Sequence, residues 1–103
     1  MRRLFAVIRS RGPSWDPARR MEDQPDSQSH AAFMNALQAD GFVVLVGPLE
    51  GTPDVLLIAR ADSAEQVSVR LADDPWVGSG HLRIAQVAPW TLRLGTLGED
   101  QRR

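Results

Sequence analysis

His30 lies three, four and seven residues before Phe33, Met34 and Leu37, so its imidazole shares the apolar stripe of a helix rather than the wet side. An inward imidazole in a first helical turn is a candidate general base or acid, because histidine exchanges protons in the physiological range. The bland alternative is a buried histidine satisfied by a local backbone or carboxylate partner, with no reaction to perform. The rest of the chain offers few competitors. It has no cysteine, lysine or tyrosine, which removes thiolate and Schiff-base catalysis, a phenolic acid, disulfides and cysteine-ligated metals. Proton transfer falls to His30, His81, the carboxylates and the hydroxyls. Ser29 adjoins His30 but points about 100° away around a helix, so no serine nucleophile is indicated. Two histidines and scattered acids lack the spacing of a zinc or iron site, so no metal and no other cofactor is expected.

The elements that must position His30 follow from apolar periodicity and breakers. Residues 4–8, LFAVI, read as a first strand ending near Ser10. Residues 11–28 contain Gly12, Pro13, Pro17 and Pro25, many charges and one aromatic residue, Trp15, and form a long loop. Asp26, Ser27 or Ser29 caps the helix that carries His30, and Gly41 stops it. Residues 42–46 and 55–59 are strands joined by a hairpin that begins at Gly47-Pro48 and runs through Pro53. Both read as unbroken apolar runs, which predicts a sheet covered on both faces, one layer supplied from outside the chain. Ser63-Ala64-Glu65-Gln66 matches a capping box for a second helix with Ala64, Val67 and Leu71 inward, ended by Asp74-Pro75. Residues 82–88 read as an edge-like fourth strand, with Leu82, Ile84, Gln86 and Ala88 on one side.

The order βαββαβ is that of the ferredoxin-like split unit, an α+β fold with a four-stranded antiparallel sheet in the order 4-1-3-2 and both helices on one face. Alternating directions bring the start of the first helix, the Gly47-Pro48-Leu49 turn, the end of the second helix with Asp73, Asp74 and Trp76, and His81 to one rim. The loop with Trp15 leaves strand one at the same rim. A carboxylate there can accept from one nitrogen of His30, fix its tautomer and leave the other nitrogen free to take a proton.

The inward His30 with Phe33-Met34, Gly41, the Gly47-Pro48-Leu49 turn, Asp74-Pro75-Trp76 and Pro89-Trp90, in this order, resemble the YCII-related family of the dimeric α/β-barrel superfamily. The similarity spans about residues 4–94. It implies a ferredoxin-like subunit whose sheet packs on a second copy, a pocket in each subunit, and a catalytic His and Asp pair falling on His30 and Asp74. Relatives in the superfamily include isomerases, lyase-like enzymes and small monooxygenases.

Asp74 is also explained as helix-ending punctuation, and Asp73 is its substitute. His81, ahead of an edge-like strand, reads as an exposed or rim residue rather than a second base. Trp15 and Trp76, with Gly47, Pro48 and Leu49, are candidates to line a pocket for a cyclic substrate; packing is the alternative for the tryptophans. Arg9 is a candidate for an anionic substrate group, although a solvated arginine is the commoner reading. With twelve basic residues against thirteen acidic ones and a formal charge of −1, no nucleic-acid or membrane partner is expected. The first residues carry too short an apolar run for a signal peptide or a membrane span, so a cytoplasmic protein is expected.

One domain, residues 1–94, with a flexible polar tail at 95–103, is therefore expected to form a homodimer around a small-molecule pocket. The sharper reading is an isomerase or lyase that moves a proton with His30 and Asp74 on a small cyclic organic acid. The alternatives are a non-catalytic ligand-binding or accessory dimer, and a small monooxygenase.

Overall fold

The computed structural model describes residues 2–97. The expected order holds: β1 (Arg3–Arg11), α1 (Ser27–Ala39), β2 (Val43–Pro48), β3 (Asp54–Ala61), α2 (Ala64–Ala72) and β4 (Leu82–Trp90), with a further helical turn α3 (Pro75–Gly78) after α2. The strands form one antiparallel sheet in the order β2-β3-β1-β4. This is a ferredoxin-like α+β fold. Strands β1, β3 and β4 outrun their apolar cores because ladder pairing needs only backbone groups and continues through arginines and other polar residues.

Alternation along β1 sets the two faces. Phe5, Val7 and Arg9 are buried on the side that pairs with Ala59, Leu57 and Val55 of β3. Leu37 of α1 and Val67 and Leu71 of α2 complete a core with Phe5, Val7, Phe42, Val43, Leu57, Ala59 and Ala61, and Phe33 and Met34 pack against it. Both helices therefore cover the same face. The other face carries Leu4, Ala6 and Ile8 opposite Arg60, Ile58 and Leu56, with Leu45 beside Ile58 and 55% exposed. Among the described residues of one chain this second face has no helical layer.

The local signals work as their physics requires. Gly41, at φ 87°, ends α1 in a conformation that a Cβ disfavours. Ser63 Oγ accepts from the Gln66 N–H at 3.1 Å, while Gln66 Oε1 accepts from the N–H of Asp62, one residue before the cap. A bulge between β1 and β4 pairs Ile8 with Gln86 but Arg9 with Ile84, so Ala85 is the extra residue. The alternation read along β4 therefore changes phase there, and Ile84 and Val87 both pack against the core. Beyond β4, Leu97 is buried. Residues 98–103, most of the expected tail, lie outside the described residues. Among the described residues no helix is long and apolar enough to cross a membrane.

Candidate active site

Four segments deliver the site. The long loop from Gly12 to Asp26 is held down rather than free. The Gly12 N–H donates to the His81 carbonyl at 2.8 Å and the Ser14 N–H to the Gly80 carbonyl at 3.0 Å. Gln24, buried, donates to the carbonyls of Asp16 (2.7 Å) and Arg19 (3.1 Å) and accepts from the Asp16 N–H. This knots the loop on itself and leads through a short 3-10 turn, Met21–Asp23, into α1. Asp26, the residue before α1, sits at φ 61°, a left-handed conformation that aspartate tolerates better than most residues.

His30 then enters in the first turn of α1, as its phase predicts, and is 13% exposed at the side chain. Its Nδ1 lies 2.8 and 2.9 Å from the two carboxylate oxygens of Asp74. Asp74 is the N-cap of α3 and is fully committed: Oδ1 also accepts from the Trp76 N–H at 2.9 Å, and Oδ2 from Arg9 Nη1 at 2.8 Å. Burial alone would push its carboxyl up, but the hydrogen bonds from His30, the Trp76 N–H and Arg9 outweigh it and hold the group below its ordinary value. An ionised carboxylate can only accept, so His30 Nδ1 carries the proton and Nε2 is the atom left to act.

Trp76 fixes the ring. Its indole stacks on the imidazole with centroids 4.0 Å apart and planes 10° from parallel, and its Nε1–H donates to the Pro25 carbonyl at 2.7 Å. The same indole thus positions the imidazole and ties down the end of the loop. Beside His30 opens a pocket of about 300 Å³ lined by Met21, Glu22, Ser27, Gln28, His30, Ala31 and Trp76, at the small end of the range for ligand sites.

Of the residues singled out from the sequence, His30, Asp74, Arg9 and Trp76 meet in one network. Trp15 packs edge-on against Trp76, at 5.4 Å and 83°, without joining the pocket wall. Gly47, Pro48 and Leu49 lie in and beside the β2–β3 hairpin, where the Leu49 N–H closes on the Asp54 carbonyl, and they contribute nothing to that wall. Beside His30 and Trp76, the wall comes from the 3-10 turn and the start of α1, residues that no periodicity marks out in the sequence. Arg9 is not solvated: it is 2% exposed, because it shares the inward phase of Phe5 and Val7. That phase was the sequence signal for its burial. His81 is likewise buried, not exposed, with Nδ1 2.6 Å from Ser79 Oγ and its ring 6.0 Å from Trp76. Asp73 is exposed at the end of α2, so Asp74 needs no substitute. Among the described residues no group of three or more His, Cys, Asp or Glu side chains could hold a metal ion.

The model of the YCII-related domain matches residues 5–91. The chain belongs to the YCII-related family. Its fold extends beyond close relatives: this YCII-related chain superposes on 5-chloro-2-hydroxyhydroquinone dehydrochlorinase from Burkholderia phenoliruptrix, in complex with 2,5-dihydroxybenzoquinone, with a TM-score of 0.60. The match covers 89% of this chain and 95% of that one at 20% identity, a likeness of fold. No curated protein sequence matches this YCII-related chain significantly.

Proposed function

We propose that this YCII-related chain is a small enzyme in which His30 Nε2 takes a proton from a small cyclic organic acid and either returns it to another atom of the ring or passes it to water while a leaving group departs with its bonding pair, with Asp74 orienting the imidazole. The reaction is an isomerisation or an elimination. The observation that carries this reading is the spent Nδ1: a buried, ionised Asp74 holds it, while the His30 ring borders a pocket of ligand size. A histidine satisfied only for packing needs no such opening. The described pocket wall carries one carboxylate, Glu22, and no arginine, so the acidity that matters is that of an O–H or activated C–H rather than of a carboxylate. A hydroxylated ring lying along Trp76 fits these limits, and the dehydrochlorinase that shares the fold acts on such a ring.

The active form is a homodimer, its second copy covering the sheet face that bears Ala6, Ile8, Leu45 and Ile58. The apolar character of that face supports this reading, because a one-sided antiparallel sheet normally alternates apolar with polar.

The test is direct. The wild-type protein, His30→Ala and Asp74→Asn are each given 5-chloro-2-hydroxyhydroquinone and assayed for chloride release, with 2,5-dihydroxybenzoquinone binding followed by tryptophan quenching. Binding that survives in folded His30→Ala, with turnover lost by a factor of about 10² or more, is the expected result. Unchanged turnover in that variant ends the assignment of His30 as the base.

A further inference from the structure

Among the described residues Arg9 is the one buried arginine, and its surroundings suit it poorly. Of its five donors, one on Nη1 meets Asp74 Oδ2 at 2.8 Å and one on Nη2 faces the weak acceptor Met34 Sδ at 3.4 Å. Among the described residues Nε has no hydrogen-bond partner. Arg–carboxylate pairs that serve stability tend to be bidentate forks. Here the fork is not used, because the other carboxylate positions go to His30 and to the Trp76 N–H. Burying a guanidinium with one strong acceptor is expensive, and an apolar side chain in phase with Phe5 and Val7 would fill the space without that cost.

We propose that Arg9 is a positioning residue that acts through Asp74 to make the His30–Asp74 pair a reversible proton holder. The inference rests on the reading of His30 as the base. Asp74 Oδ2 is shared at 2.8 Å by Arg9 Nη1 and His30 Nδ1. Asp74 alone would clamp an imidazolium. With Arg9 already neutralising the carboxylate, a proton added to His30 puts two cations on one buried anion, so the pair binds it less tightly and gives it back. The other ionisable groups facing the pair are Glu22, across the pocket from the 3-10 turn, and His81, from the start of β4 and near the indole of Trp76. Both stand outside the Arg9–Asp74–His30 chain of contacts.

The test is a histidine ¹⁵N NMR titration of the full-length, ligand-free protein, comparing wild type with Arg9→Met, Arg9→Gln and Arg9→Lys. In Arg9→Met the pair should take up its next proton about tenfold more tightly, a rise of about one pH unit in the midpoint. Arg9→Gln, which keeps an N–H donor but no charge, should rise similarly, and Arg9→Lys should stay near wild type. The acid limb of any kcat/KM profile should move in parallel. Because the titration is read without substrate, it stands or falls separately from the role of His30 in turnover. Equal midpoints in wild type, Arg9→Met and Arg9→Gln overturn the proposal, as does failure of all three variants to fold, which would assign Arg9 to the scaffold.

Discussion

The imidazole of His30 lies flat on the indole of Trp76, 10° from parallel and 4.0 Å away between centroids, so the candidate base is held from one side by a carboxylate and from above by an apolar plane. Hydrogen bonding fixes which nitrogen carries the proton, and stacking fixes where the other points.

Trp76→Phe keeps a stacking ring but leaves the Pro25 carbonyl without its 2.7 Å donor. The expected loss in urea denaturation is about 1 kcal/mol, with weakened protection of loop amides in hydrogen exchange. Trp76→Ala also opens a cavity where the side chain is now 1% exposed, and should cost about 3 to 5 kcal/mol.

Asp74→Asn keeps an oxygen for the Trp76 N–H but strips Arg9 of its counter-charge, for an expected destabilisation of about 3 to 5 kcal/mol near neutral pH. The pH dependence has a definite sign. Hydrogen bonds hold the folded Asp74 carboxyl below its ordinary value of 3.8, so unfolding raises its proton affinity. Its stabilisation is complete above that value and is lost as pH falls through the depressed one. Thermal melts from pH 7 to pH 2 should show this loss in wild type, and Asp74→Asn should lack that component.

At Gly12 a Cβ would lie 2.2 Å from the Gly80 carbonyl oxygen, a backbone atom that cannot swing aside. Gly12→Ala should lift the start of the loop off the Gly80-His81 segment before β4 and destabilise the fold by about 1 to 3 kcal/mol. Circular dichroism melts measure the loss, and limited proteolysis between residues 13 and 26 should speed up.

Gln24→Ala removes the side chain that bridges Asp16 and Arg19. Each buried group left unpaired costs about 1 to 3 kcal/mol, and the loss should appear as faster hydrogen exchange in the loop, with the β1–β3 ladder unaffected.

Leu45→Glu places a charge on the uncovered sheet face, where Leu45 is 55% exposed in one chain. Sedimentation should show the proposed wild-type dimer falling apart in the variant; a wild-type protein that sediments as a monomer contradicts the dimer directly.

Much of this architecture was legible because it rests on periodicity and breakers, which act locally. The apolar strands, the Gly41 stop and the Ser63 cap each state their own conformation, and the order of elements then leaves few topologies. His30 was legible for the same reason, since its phase with Phe33, Met34 and Leu37 is a local property. The pocket wall was not. Met21 and Glu22 belong to a loop folded by its own hydrogen bonds, those of Gln24 to the Asp16 and Arg19 carbonyls chief among them, and no periodicity announces a side chain that is buried to satisfy carbonyls five and eight residues away. Arg9 reads as solvated when its charge is weighed above its phase, and the phase decides. α3 went unseen because four residues are too few to show a helical period, although Asp74-Pro75 carries both a cap and a first-turn proline.

The Arg9–Asp74 contact joins residues 65 positions apart. The contact network around His30 runs from Arg9 to Trp76, so a fragment that lacks β1 or α3 cannot assemble it. The surroundings proposed to make His30 reactive therefore arise only when both segments are in place, and a copy missing either carries an ordinary histidine.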